Sequence, residues 1–286
     1  MKLVTFNILS SELANPEWFK NSSEEHLDSA YRFNKIRDIL TTFIDQKYII
    51  CLQEVSTEWD QKIREFILEI DNYHYISDLR HKKLGLGICI PDNYNVRNIH
   101  KISLNENIKN FYSNPEVPEE IRLAKEEPRN VLILELDTFF IANIHMPCKF
   151  TMSLFMEIYT LSLMEAVNHI VGKSPMMLVG DFNSTYLGNG YKILTEGIKY
   201  GKNYELLKNN ISDENCFDPF IDAQGDNHTT TCIACQNGEN VPFIIDYIFY
   251  RDLTINSIEV LGTDISLPSQ THPSDHFPII CDFDLK

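Results

Sequence analysis

The sequence predicts an α/β protein in which two packed β-sheets are covered by helices. Three observations carry that expectation. The chain has 286 residues, is 43% hydrophobic, and contains no Gly/Ser-rich or Pro-rich linker, so it can bury one large core and residues 1–286 read as a single domain. Strand-like segments outnumber helical ones. They alternate with helices too irregularly for a doubly wound parallel sheet, and stacked sheets accommodate them better.

The elements follow in order. Leu3 to Leu9 reads as a strand. Between Tyr31 and Gln46, residues Ile36, Ile39, Leu40 and Phe43 recur at helical spacing, and "YIICL" at 48–52 is a short buried strand. A second helix runs through Ile63, Phe66, Ile67 and Ile70. Strands follow near 86–90, 94–102, 131–136 and 139–145, and the polar stretch 103–128 reads as a long surface excursion. A long helix at about 152–171 leads to the apolar run Met177, Leu178, Val179, and the tail supplies strands at 244–250, 255–261 and 278–283. No internal repeat and no low-complexity tract interrupts this pattern.

A formal net charge of −16 argues against a protein that coats polyanions, since such binding uses clustered Lys and Arg to release counterions. Acidic residues can instead gather around a divalent cation, which neutralises them and makes a phosphate site. "RHKK" at 80–83, with Arg97, Lys101, Arg122, Lys125 and Arg129, reads either as a local polyanion track or as a solvated face. Cysteine is present at an odd count of 7, with several in apolar runs such as "ICL" and "ICI", which suggests a reducing compartment. No segment looks like a signal peptide or a bilayer span. The expectation is a soluble intracellular protein, cytoplasmic or nuclear, with no membrane partner.

Polar residues interrupt the strands at their ends. Asn7 sits in "TFNIL", Glu54 ends "CLQEV", and His145 ends "IANIH". Asp181 and Asn183 end "LVGDFN", Asp246 opens "IDYIF", and Asp275 with His276 precedes "FPII". Each has an ordinary reading alone: a bend residue, a helix N-terminal charge, a core histidine, a turn. Stacked sheets, however, collect strand ends on one rim, where such groups can converge as an active site does.

Taken in order, "TFNIL", "CLQEV", "NIH", "GDFNS", "DYIF" and "PSDHFPI" resemble the endonuclease/exonuclease/phosphatase superfamily, whose members cut phosphoester bonds with Mg²⁺. "AYRFNKIRDIL", "GDFNSTYLGNGYKILTEG" and "LPSQTHPSDHFPIICDF" are most similar to the branch containing the carbon catabolite repression deadenylases, nocturnin, Angel and the 2′-phosphodiesterase. The resemblance implies a four-layer α/β sandwich, two mixed sheets flanked by helices, forming one catalytic domain. It implies that Asp181 orients and deprotonates the attacking water and that Asn183 donates to the phosphate. His276 would contact a non-bridging oxygen with Asp246 holding its ring, and His145 would be a second phosphate contact. Glu54, Asn7 and Asp275 would hold or order Mg²⁺, with Mn²⁺ as a substitute. The implied substrate is the 3′ end of single-stranded RNA or an oligonucleotide, adenylate-rich or 2′,5′-linked. Repair endonuclease, inositol phosphatase and sphingomyelinase activities stay open, as does a non-catalytic binding scaffold.

Two features depart from the pattern. Position 9 is Leu where some branches carry an extra acidic residue, which leaves one or two metals open. Cys232 and Cys235 form a CxxC with Cys216 and His228 upstream, which reads as a zinc site or, with its irregular spacing, as a substrate-side loop with two free thiols.

Overall fold

A computed structural model describes residues 1–80, 83–111, 118–208, 218–236, 239–262 and 267–286. The chain begins with β1 (Lys2–Asn7), α1 (Glu24–Leu27), α2 (Ser29–Asp45), β2 (Ile49–Val55) and α3 (Thr57–Leu68). It continues through β3 (Tyr73–Asp78), β4 (Gly85–Pro91), β5 (Val96–Ser103), α4 (Leu104–Phe111) and α5 (Glu119–Glu126). Next come β6 (Asn130–Leu136), β7 (Phe140–His145), α6 (Ser153–Val171), β8 (Met176–Asp181), α7 (Asn189–Glu196) and α8 (Tyr204–Leu207). The last part holds β9 (Ile221–Asp222), β10 (Cys232–Gln236), β11 (Glu239–Phe243), β12 (Asp246–Arg251), β13 (Leu253–Val260) and β14 (Ile279–Leu285).

Two six-stranded mixed sheets result, in the orders β13-β14-β1-β2-β4-β3 and β5-β6-β7-β8-β12-β9, with β10 and β11 pairing as a separate ribbon. Each sheet contains one parallel pair, β1 with β2 and β7 with β8, while its other pairs are antiparallel. A parallel pair needs a crossover, and α2 and α6 supply it. Their sequences explain why. Asp28 caps α2 by accepting from the Tyr31 N–H at 2.8 Å, and Ile36, Leu40 and Phe43 line its buried face. α6 is apolar almost all round and buried to match, being enclosed by the sheet and by neighbouring helices.

The layers follow from alternation along the strands. Val4, Phe6, Ile50 and Leu52 face α2 and α3, whereas Leu3, Ile49 and Cys51 face the other sheet at Leu132, Leu134, Met177 and Val179. On the far side, Val131, Ile133 and Leu178 face α4, α5, α6 and α7. This is the four-layer sandwich that the motifs imply.

The stretch 103–128 departs from expectation. Instead of a surface excursion it contains α4 and α5, whose Leu104, Ile108, Ile121 and Ala124 are buried against α6. A polar average hid two short apolar faces with i, i+3 and i+4 spacing. The segment read as a substrate-side loop likewise forms the β10–β11 ribbon. Among the described residues, no helix is long and apolar enough to cross a membrane.

Candidate active site

Both parallel pairs end on one rim. β1 ends at Asn7, β2 carries Glu54 next to its last residue, β7 ends at His145, β8 ends at Asp181, and β12 starts at Asp246. Asp275 and His276 arrive just before β14. Register makes the placement exact to the residue, with His145 opposite Asp181 across the parallel pair and Asp246 opposite Asp181 across the antiparallel one.

The backbone is bent to present these groups. Glu54 sits in a bulge of β2 with φ 58°, Asn183 follows β8 with φ 46°, and Leu9 follows β1 with φ 51°. A left-handed conformation costs a residue with a Cβ about 1–2 kcal/mol, so three at one rim mark a place where the fold holds strain for the sake of side-chain direction. Gly180 has φ 138°, and a Cβ there would lie 2.0 Å from the Ile144 carbonyl oxygen. Glycine is what lets β8 run against β7 immediately before Asp181.

The Asn7 amide ties the cluster together. Its Nδ2 donates to Asp181 Oδ2 at 3.0 Å and to Glu54 Oε1 at 3.2 Å, and lies 3.4 Å from His276 Nε2, while its Oδ1 accepts the Leu9 N–H at 3.0 Å. Glu54 Oε2 accepts the Ser10 N–H at 2.9 Å. His145 Nε2 stands 3.5 Å from Asp181 Oδ2 and 3.8 Å from Glu54 Oε1. Asp181 Oδ1 accepts the Asn183 N–H at 2.8 Å, and Asn183 Nδ2 donates to the Met146 carbonyl at 2.8 Å. His276 Nδ1 donates to Asp246 Oδ2 at 2.8 Å, leaving Nε2 facing Asp181 at 3.8 Å. All eight residues singled out in the sequence are thus brought together. Glu54, His145, Asp181, Asn183, Asp275 and His276 line one cleft of about 370 Å³. Its outer wall carries Phe150 stacked on Phe243, with ring centroids 6.0 Å apart.

Burial sets the electrostatics. Desolvation, then the neighbouring Asp246, pushes the Asp181 carboxyl far above the usual range, against the pull of His276 and the Asn183 N–H. Desolvation and Asp275 raise Glu54 as well, partly offset by the Ser10 N–H, His276 and Asn7. For His276, burial opposes the charged ring, but Asp246, Cys232, Asp275 and Asp181 outweigh it and hold the imidazole well above its ordinary value. Ligand atoms of Glu54, His145 and Asp181 lie within 4.8 Å of one another, and Asp275 Oδ1 is buried without a hydrogen-bond partner. Converging, partly unsatisfied carboxylate oxygens are what a hard divalent cation such as Mg²⁺ or Mn²⁺ requires.

Several positioning residues escaped the sequence reading. Arg32, fully buried in α2, donates through Nη2 to the Ile8 carbonyl at 2.8 Å and to that of Leu9, and through Nε to the Pro273 carbonyl at 2.7 Å. It clamps the loop after Asn7 to the loop before His276. Burial lowers its pKa to about 10, against the raising effect of Asp275 and Glu54. Its position was readable, since Arg32, Ile36 and Leu40 share one helical face. Ser274 donates to the Asn7 carbonyl at 2.7 Å and accepts the His276 N–H at 3.2 Å. Behind the rim, Gln53 Nε2 donates to Asn143 Oδ1 at 2.7 Å, and Asn143 Nδ2 donates to the Leu52 and Gly87 carbonyls at 2.9 and 3.0 Å. That bridge joins the two sheets beneath the Glu54 bulge.

The basic residues are mostly paired with acids. Arg80 meets Asp78 at 2.6 Å, Lys83 meets Glu12 at 3.0 Å, Arg97 meets Asp137 at 2.7 Å, and Arg122 meets Glu119 and Glu126. His81 and Lys82 lie outside the described residues. Arg129 lines the cleft and pairs with Glu127 at 2.8 Å. As for the four-residue zinc reading, Cys216 and the Cys235 side chain lie outside the described residues, and His228 Nε2 meets Asp222 Oδ2 at 2.8 Å.

Comparison with known proteins supplies the family and agrees with the fold. The model of the endonuclease/exonuclease/phosphatase family matches residues 4–276. The 2′,5′-phosphodiesterase 12 of Mus musculus is 23% identical over 326 aligned positions, which take in 100% of this chain and 52% of that protein. The chain thus spans about half the length of the phosphodiesterases it matches. Among solved structures, ANGEL2, a 2′,3′-cyclic phosphatase in complex with adenosine-2′,3′-vanadate, superposes with a TM-score of 0.74 at 19% identity, covering 99% of this chain and 95% of that one. The human Nocturnin catalytic domain gives a TM-score of 0.64 at 20% identity, covering 100% and 94%. With the family model spanning nearly the whole chain and the ordered motifs meeting on one rim, the chain belongs to the endonuclease/exonuclease/phosphatase family.

Proposed function

We propose that the chain is a divalent-metal-dependent phosphodiesterase that removes nucleotides from the 3′ end of adenylate-rich or 2′,5′-linked RNA by in-line attack of water. The observation that carries this reading is the Asn7 amide joining Glu54 to Asp181 opposite the His276–Asp246 pair, on the floor of one cleft. The similarity to a 2′,5′-phosphodiesterase supports the choice of linkage.

Each residue has work that its surroundings suit. Asp181, with its carboxyl lifted toward the operating pH by burial and Asp246, accepts the proton of the attacking water. The Asn183 N–H hydrogen bond to Oδ1 holds that carboxylate in line, and the Asn183 amide has a second N–H to offer a phosphate oxygen. His276, kept protonated by Asp246, donates from Nε2 to a non-bridging oxygen where negative charge builds up. His145 is a second donor to the phosphate. Glu54 and Asp275, with Asn7 beside them, would hold Mg²⁺ or Mn²⁺, which would supply Lewis acidity and neutralise the crowded carboxylates. Phe150 and Phe243 offer a terminal base an aromatic surface.

The test is turnover of a panel containing poly(A), mixed RNA, 2′,5′-oligoadenylate, RNA ending in a 2′,3′-cyclic phosphate, abasic DNA, NADPH and inositol phosphate. Release of AMP from the adenylate substrates should vanish in EDTA and return with Mg²⁺ or Mn²⁺. Glu54→Ala should weaken metal dependence without unfolding the chain. Full activity in excess chelator, or turnover confined to abasic DNA or inositol phosphate, would sink the reading, and inactivity on every substrate would favour a binding scaffold.

A further inference from the structure

Cys232 opens β10, and its backbone forms an antiparallel bridge with His276. The flanking hydrogen bonds run from the Phe277 N–H to the Thr231 carbonyl at 2.7 Å and from the Ile233 N–H to the Asp275 carbonyl at 2.8 Å. Cys232 and His276 are therefore the pair of the ladder that exchanges no bonds with each other, in which facing side chains stand closest, with Cα atoms about 4.5 Å apart. Backbone register, rather than a loose loop, puts the thiol beside the imidazole. Asp275 completes the group. One ligand atom from each of Cys232, Asp275 and His276 lies within 4.8 Å of the other two. Cys232 is only 3% exposed, and Asp275 Oδ1 is buried without a hydrogen-bond partner.

Sulfur, nitrogen and carboxylate oxygen together are a donor set for a borderline-soft transition metal and a poor one for Mg²⁺. The Asp246 carboxylate strengthens the case, because it takes the Nδ1–H of His276 and leaves Nε2 for a metal. A carboxylate behind a metal-ligating histidine fixes its ring and raises its basicity.

We propose that Cys232, Asp275 and His276 form a Zn²⁺ site, and that Zn²⁺ bound there withdraws His276 from the phosphate and Asp275 from Mg²⁺ and so stops hydrolysis. On binding, the proton of the Cys232 thiol and any proton on Nε2 pass to solvent and the sulfur and nitrogen lone pairs go to the ion, with no change of oxidation state. Binding rests on the geometry above, while inhibition also rests on the roles proposed for His276 and Asp275.

Cobalt(II) makes the two separable. Metal-free protein titrated with Co²⁺ should develop a thiolate-to-cobalt charge-transfer absorption that saturates at one equivalent, disappears in Cys232→Ser and in Cys232→Ala, and persists in Cys148→Ser, whose thiol lines the same cleft. In Mg²⁺-supported assays, each variant compared with its own zinc-free rate, the half-inhibitory Zn²⁺ concentration should rise in Cys232→Ser by at least about tenfold, the lower end of what loss of even a supporting partner costs a metal site. Absence of the band from the unsubstituted chain, its dependence on Cys148, or equal zinc sensitivity in Cys232→Ser would overturn the proposal. A chain inactive on every phosphoester but showing the Cys232-dependent band would fail as a phosphodiesterase and still uphold the site.

Discussion

Asp181 is where the residue scale bears most on the proposed function, because its carboxyl is fully buried beside two other acids, yet the role proposed for it requires an ionised carboxylate that accepts a proton. Replacing it with Asn keeps the size and the strand-end geometry and removes the proposed base, so turnover should fall by roughly 10² or more with substrate binding largely retained. Separate measurement of kcat and KM checks this. The same carboxyl makes a pH prediction. Asp181, Glu54 and His276 all have folded-state pKa values raised above their ordinary ones, so the folded metal-free protein holds protons that the unfolded chain releases. Stability therefore falls as pH rises, beginning above the ordinary carboxylate value for the two acids and continuing, for His276, until its raised value is passed. Metal-free protein should melt at progressively lower temperature from mildly acid to alkaline pH, the stabilisation by Mg²⁺ should widen over the same span, and Asp181→Asn should flatten both trends. Thermal melts with and without Mg²⁺ measure it, and a trend unchanged in Asp181→Asn would refute the assignment.

Arg32 shows how an element, rather than a site residue, holds the chemistry in place. Its guanidinium spans four carbonyls on two loops, those of Ile8, Leu9 and Ser10 behind Asn7 and that of Pro273 ahead of His276, so α2 is fastened to both halves of the site. Lysine keeps the charge and loses the fork, stranding buried carbonyls at a cost of about 1–3 kcal/mol each. Arg32→Lys should thus lower the denaturation midpoint in urea and reduce kcat more than it raises KM. A variant with wild-type kcat would show that the clamp stabilises the fold without tuning the site. Arg32 also marks the border of what could be read from sequence. Strand-end residues such as Glu54 and Asp181 were legible because short apolar runs mark buried strands whose polar ends stand out, and because the motifs follow one another in a set order. The α4 and α5 helices were not, since Leu104, Ile108, Ile121 and Ala124 become a core face only once α6 lies against them. The bulge that turns Glu54 into the cleft was equally hidden, because nothing in "CLQEV" marks it and the Asn143 side chain that donates to the Leu52 and Gly87 carbonyls beside it comes from the other sheet. The pairing of Cys232 with His276, on which the proposed zinc site rests, comes from a backbone bridge that no CxxC spacing encodes.

At the scale of the whole molecule, a net charge of −16 must be reconciled with the polyanionic substrate proposed for the cleft. Exposed Arg80, Lys83, Arg97 and Arg122 each face a carboxylate within hydrogen-bonding or ion-pair distance, so they are partly neutralised before any phosphate arrives. Arg129 reaches the cleft but shares its charge with Glu127. A long basic groove that could hold RNA between cuts is thus not what these residues build, and attraction must come from the metal, from His276 and from stacking on Phe150 and Phe243 at the chain end. Few phosphates then shed counterions on binding. Log K against log salt should have a slope corresponding to only about two or three neutralised phosphates, and long RNA should bind little better than a short oligonucleotide. The enzyme should also be distributive, shortening all molecules of an end-labelled poly(A) population together. A steep slope, or full-length substrate persisting beside fully degraded product, would mean that the paired basic residues release their carboxylates to RNA and that the groove exists after all.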